Sequence, residues 1–281
     1  MTKAMEILPV SGSLGAEIRG IDLASPLSAA VVGDIRAAFA EHLVLFFRGQ
    51  RLEPQHQVAF GAHFGPVGIY PFAEPLEGHP EVVAIIKEKD QTTNFGGTWH
   101  SDTTYLETPP AATLLYAKEV PPHGGDTLFA NMYLAYESLS AGMRRLLDGL
   151  TGISSAERGS AFLRGDHLDS GGMTGTSAGQ GGYVAEHPVV RTHPVTGRKA
   201  LYVNSAHTVG FKGMTELESA PILGYLLDHL CREDFTCRFR WQEGSLALWD
   251  NRCSQHYPLN DYHGFRRVMH RVTIAGEKPR P

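Results

Sequence analysis

Two rhythms of apolar and polar positions organise the chain. The opening EILPVSGSLGAEIRGIDL alternates with a period of two and carries glycines at its bends, which predicts short strands. The next stretch, SPLSAAVVGDIRAAFAEH, puts Val31, Ile35 and Phe39 on one face at helical spacing, with Ser28 placed to cap it. LVLFF is an unbroken apolar run and reads as a buried strand, and Pro54 to Phe64 predicts a second helix. EVVAIIKE and TLLYAKEV read as strands. Helical spacing returns between Tyr133 and Leu150, and again from Thr215 to Arg232, where Thr215 and Glu218 form a capping box. HPVVRTHPVTGRKALYVN folds back as a hairpin around Pro194–Gly197, and FTCRFRW, SLALWDN and RRVMHRVTIAG close the chain as strands. Short strands dominate both halves, with helices clustered between them. That pattern predicts a mainly β fold, a sandwich or jelly roll flanked by α-helices.

One segment has no rhythm. From Glu157 to Gln180 the chain is rich in Gly and Ser, and the wider span 154–186 reads as a mobile lid or insertion loop, or as disorder without a role. The remainder predicts a single domain over residues 1–281. A hydrophobic fraction of 42% is ample for a core, while a charged fraction of 20% and a net charge of −5, without a basic run, argue against nucleic acid. No window is apolar and long enough to span a membrane, and MTKAMEILPVSG lacks the apolar centre of a secretory signal. Cys231, Cys237 and Cys253 are odd in number and scattered, so they read as free thiols in a reducing cytoplasm.

The candidate chemistry begins in GGTWHSDTTY. If this stretch is a strand, His100 and Asp102 point the same way and could share a metal ion. With 14 histidines in the chain an H-x-D pair also arises by chance, and His167 and Asp169 repeat the spacing inside the Gly-rich segment. A third ligand is available in His256, just past the apolar strand SLALW. Two histidines and a carboxylate suit a non-heme Fe(II) oxygenase with open coordination positions, and they also occur in zinc hydrolases. The last strand adds a second signal. Strand alternation puts Arg267, Met269, Arg271 and Thr273 on one face, the two arginines about 13 Å apart at ~3.3 Å per residue. If that face is inward, two buried guanidiniums call for two anionic small molecules; if outward, they are ordinary exposed charges.

Taken in order, WHSD, GGDT, WDNRCSQH and RRVMHR resemble the Fe(II)/2-oxoglutarate dioxygenases of the taurine and phenoxyacetate-herbicide dioxygenase type, from Gly15 to Gly276. The resemblance implies a distorted double-stranded β-helix, a jelly-roll variant. It implies Fe(II) on His100, Asp102 and His256, and 2-oxoglutarate on Thr127 and Arg267, with O2 as the oxidant. It matches Arg271 to the arginine that grips a small anionic organic substrate, which would be a sulfonate, a sulfate ester or an aryloxy carboxylate. The product pair would be succinate and CO2, often with cleavage of the hydroxylated substrate. In the substrate pocket the chain departs from taurine-specific members, offering Tyr70 and Ala73 in GIYPFAEP and His207 in LYVNSAH. The resemblance also implies a homo-oligomer, dimer or tetramer. His167 and Asp169 fall in a variable insertion of the family, which removes them as ligands.

Overall fold

The computed structural model describes residues 5–157 and 182–281. The run at Leu43–Phe47 is apolar throughout because its sheet is buried on both faces. Across the sheet, each strand hydrogen-bonded to the next, the order is Glu6–Pro9, Ala16–Arg19, Val44–Phe47, Leu246–Asp250, Ala112–Glu119, Arg267–Ile274, His79–Lys87 and Pro75–Leu76. Val67–Gly68 pairs with Arg267–Ile274 off this path. Within the sheet only Ala16–Arg19 and Val44–Phe47 run parallel. Leu45, Phe47, Leu114, Tyr116, Leu246, Leu248, Val272 and Ile274 face the helices Ala29–His42 and Pro54–Gly61, which contribute Ile35, Phe39 and Phe60. On the other face Phe46, Leu115, Ala117, Ala247, Trp249 and Met269 meet the smaller sheet.

That smaller sheet is antiparallel and holds Thr236–Phe239, Thr127–Asn131 and Ser254–Pro258, in that order. Two sheets packed over a shared apolar layer make the fold a mainly β jelly roll with flanking helices, as the patterning predicts. Arg267 and Arg271 share the inner face with Met269, and they are 7% and 3% exposed. The inward reading of the last strand therefore holds.

Local rules place most elements. Ser28 accepts from the Val31 amide, and Thr215 and Glu218 close the expected capping box ahead of the helix Glu216–Leu230. The hairpin forms between Val190–Thr192 and Lys199–Leu201. Three expectations change. The stretch Tyr133–Leu150 is two short helices, Met132–Glu137 and Ala141–Leu147, because Ser140 caps a new start by accepting from Met143. The second helix stops at Gly61 rather than Phe64. And GGTWHSDTTY is not a strand but a loop that touches the smaller sheet through one bridge, His100 to His256. At the edges of the Gly-rich segment, Thr151–Ser155 and Val184–Pro188 pair antiparallel, so residues 154–155 and 184–186 belong to strands. His167 and Asp169 lie outside the described residues. Among the described residues no helix is long and apolar enough to cross a membrane, and all three cysteines are free.

Candidate active site

His256 comes from the smaller sheet, on Ser254–Pro258. His100 joins it through one isolated bridge, His100 N to His256 O at 3.1 Å and the reciprocal bond at 2.9 Å. The chain then turns at once. Thr103 takes φ 42°, a left-handed conformation rare for a β-branched residue. With no ladder beyond His100, side chains satisfy the turn. Ser101 donates to Ser254 O, the Asp102 amide to Asn251 Oδ1, and Asn204 Nδ2 to Thr104 Oγ1. His187 Nε2 sits 2.8 Å from Thr104 O. His100 and Asp102 thus converge through a bridge and a turn, not through strand alternation.

The convergence is close. His100 Nε2 and His256 Nε2 each lie 3.9 Å from Asp102 Oδ1, and the three ligand atoms fall within 4.8 Å of one another. All three residues are buried. His100 Nδ1 faces Thr98 O at 2.7 Å and must donate to it, which leaves the lone pair on Nε2. Burial holds both imidazoles below their ordinary pKa, His256 strongly so, and keeps them neutral. Burial alone would raise the pKa of Asp102; Arg271, the two histidines and the Thr113 bond outweigh it and hold the group as a carboxylate.

The two oxygens of Asp102 have different neighbours. Oδ2 accepts from Thr113 Oγ1 at 2.6 Å and lies 3.0 Å from an Arg271 Nη. Thr113 in turn accepts from Asn251 Nδ2, whose amide oxygen also takes the Trp249 indole N–H. Oδ1 is left to face the two histidines. The donor set is therefore two neutral nitrogens and one carboxylate oxygen, which fits ferrous iron bound on one side only. Gly96, at φ 82°, lets the backbone pass the His100 ring; a Cβ there would meet Cε1 at 2.9 Å.

The cavity beside this triad is lined by Thr127, Arg267 and Arg271 together with His100, Asp102 and His256. Apolar walls come from Ile85, Phe95, Leu115 and Trp249. Arg267 has two buried nitrogens, Nε and Nη2, without a protein partner. Arg271 is close to Asp102, yet its Nε and Nη2 make no directed hydrogen bond. Tyr70 stacks on Arg271, its ring centroid 4.6 Å from the guanidinium carbon. The His207 ring lies 6.4 Å from that of His100 and 4.9 Å from that of Tyr105, and burial pushes its pKa down to about 3. Ala73 is buried in the same small cluster as Tyr70 and Phe72.

His100, Asp102, His256, Thr127, Arg267, Arg271, Tyr70 and His207, the site residues expected from the sequence, are thus all buried around one centre. Sequence reasoning missed Thr113, Asn251 and the Arg271–Asp102 ion pair. The one available hint was a lone threonine inside the apolar run ATLLYA. A second potential ligand group, His193, Asp250 and Cys253, is satisfied internally. His193 Nδ1 accepts from two backbone amides, so Nε2 donates to Asp250, and Arg252 grips both oxygens of that carboxylate.

The family model described as taurine catabolism dioxygenase TauD, TfdA family, matches residues 6–273. An alpha-ketoglutarate-dependent sulfate ester dioxygenase of Pseudomonas putida is 38% identical over 281 residues, covering 98% of this chain and 91% of that protein. An alkylsulfatase of Acinetobacter baylyi is 34% identical, covering 98% and 86%. Among solved structures, a taurine dioxygenase from Burkholderia xenovorans superposes with a TM-score of 0.83 at 36% identity, over 99% of this chain and 93% of that one.

Proposed function

Since the chain belongs to the TauD/TfdA family of 2-oxoglutarate-dependent dioxygenases, we propose that it oxidises a small organic anion, with a sulfate ester first among the candidates. Sulfonates and aryloxy carboxylates are the other members of the class. The single observation that carries this reading is the pairing of a buried two-histidine, one-carboxylate cluster with two inward arginines, each with buried nitrogens, Nε and Nη2, that make no hydrogen bond.

His100, Asp102 and His256 would hold the iron. Bound there, Fe(II) with 2-oxoglutarate and O2 supplies the oxidising power, and the cosubstrate leaves as succinate and CO2. Thr127 and Arg267 receive the distal carboxylate of 2-oxoglutarate, Arg267 through its free fork. Arg271 takes the anionic end of the substrate, with Tyr70 and His207 as walls beside it. Neutral His207 can accept or donate one hydrogen bond without adding charge. Hydroxylation at the carbon bearing the ester oxygen gives an unstable product that splits into an aldehyde and inorganic sulfate. Thr113 and Arg271, by occupying Oδ2 of Asp102, leave Oδ1 as the oxygen that would bind the metal. The apolar walls exclude water from the reacting carbon. The free thiols support a reducing compartment, the cytoplasm.

The test is oxygen uptake with succinate formation from Fe(II), 2-oxoglutarate and a panel of alkyl sulfates, sulfonates and aryloxy acids. Turnover of at least one anion with equal succinate and product is expected. Turnover without O2 or 2-oxoglutarate would instead point to zinc-type hydrolysis. Binding of 2-oxoglutarate without any succinate would make the protein a ligand-binding jelly roll.

A further inference from the structure

Two aromatic residues outside the cavity lining touch the two proposed cosubstrate residues. The guanidinium carbon of Arg267 lies 5.7 Å from the Trp241 ring centroid and 5.9 Å from that of Tyr262. Both rings are buried, at 5% and 2% exposure. Each also carries a polar handle. Trp241 Nε1 donates to Thr127 Oγ1 at 2.9 Å, and the Tyr262 phenol interacts with the Arg267 guanidinium.

Donor and acceptor capacity gives these contacts a direction. An indole N–H can only donate, so Thr127 Oγ1 must accept from it. The hydroxyl proton of Thr127 is then left for another acceptor, and Thr127 lines the cavity. Arginine likewise only donates, so in its contact with Arg267 the Tyr262 oxygen can serve only as acceptor. The donors of Arg267 that remain buried without partner are Nε and Nη2. These share one edge of the guanidinium plane, the edge whose two parallel N–H bonds match the two oxygens of a carboxylate. The Tyr262 ring is itself pinned. The buried Lys87 ammonium sits 4.6 Å from its centroid, and Gly125 lets the ring close in, since a Cβ there would meet Cδ1 at 3.2 Å.

We propose that Trp241 and Tyr262 are positioning residues that aim the Thr127 hydroxyl proton and the free edge of Arg267 at the distal carboxylate of the cosubstrate. This rests on the reading that Thr127 and Arg267 receive that carboxylate. Such pre-aimed donors make binding tighter because their orientation is fixed before the ligand arrives.

The test uses the full chain loaded with Mn(II) in place of iron, with ligand affinity measured by calorimetry and no turnover. Trp241→Phe and Tyr262→Phe each remove one polar handle and keep a ring. Each should weaken 2-oxoglutarate roughly five- to tenfold, the worth of about one hydrogen bond. Affinity for 2-oxobutyrate, which chelates metal through the same end but has no distal carboxylate, should stay within about twofold, as should Mn(II) affinity. In a Thr127→Val background, Trp241→Phe should have no further effect. Unchanged 2-oxoglutarate affinity, or equal loss for both keto acids, overturns the proposal. If Thr127→Val and Arg267→Ala themselves leave 2-oxoglutarate affinity intact, the underlying assignment fails and this inference with it. If those two weaken binding while the aromatic variants do not, only this inference fails.

Discussion

Replacing Thr113 by valine isolates the hydrogen bond that orients the carboxylate of the triad. Valine keeps the shape and suits a strand, so the backbone of Ala112–Glu119 should persist. What is lost is the 2.6 Å bond from Thr113 Oγ1 to Asp102 Oδ2 and the acceptor for Asn251 Nδ2. A hydrogen bond to a charged group is worth ~1.5–3 kcal/mol, which sets a ceiling of roughly 150-fold on metal affinity. Much of that energy is present before the metal binds, and Arg271 still holds Oδ2. Only the orientational part reaches the metal, so a loss of about tenfold is expected, the low end for residues that support metal ligands. Stability should fall by ~1–3 kcal/mol, because the Asn251 amide is left buried without an acceptor. Mn(II) calorimetry reads the first effect and denaturant unfolding the second. Thr113→Ser, which keeps the hydroxyl, should restore metal affinity. If Thr113→Val binds Mn(II) as tightly as the parent, or Thr113→Ser loses as much, the hydroxyl does not orient Asp102.

Arg271→Ala should raise the substrate KM about thirtyfold or more and leave 2-oxoglutarate affinity within about twofold, since truncating one partner of a buried charge contact costs at least 2 kcal/mol or so; equal loss of both would end the division of labour between the arginines. Gly96→Ala places a Cβ against the His100 ring and forces a left-handed alanine at ~1–2 kcal/mol, so both Mn(II) affinity and thermal stability should drop. Asp250→Asn breaks the contacts with His193 and Arg252 at a cost of ~3–5 kcal/mol near neutral pH. The folded pKa of Asp250 is below its ordinary 3.8, where burial alone would raise it but Arg252 and His193 dominate. Its contribution is therefore complete above the ordinary value and is lost as pH falls through and beyond it. The gap in unfolding midpoint between parent and variant should narrow below about pH 4; a gap independent of pH would deny the ion pair its role.

Much of the frame is readable in one dimension because it obeys local rules. Period-two alternation placed Arg267, Met269 and Arg271 on the inner face, and the Thr215–Glu218 box marked the start of its helix to the residue, though that helix ends at Leu230 rather than Arg232. Polar residues whose partners are remote in the chain left no such trace. Thr113 meets Asn251, 138 positions away, and Thr127 meets Trp241, 114 positions away. His100 and Asp102 show a different limit. Their spacing is right, but alternation is not the cause: the left-handed Thr103 ends the bridge and the loop is held by side chains. The ion pair of Arg271 with Asp102 was hidden for the same reason, since no local pattern says which of two inward arginines leans on a carboxylate.

The two proposed anion grips stand four residues apart on a single continuous strand, so the β-sheet serves as a ruler. Its graduation cannot stretch without a bulge or an inserted residue, either of which would turn Arg271 out of the cavity. On the proposed roles, a relative with the same strand could swap bulky bodies freely by recarving its walls. A molecule whose oxidisable carbon sits farther from its charge would offer the wrong atom to the metal, however well the rest of it fits.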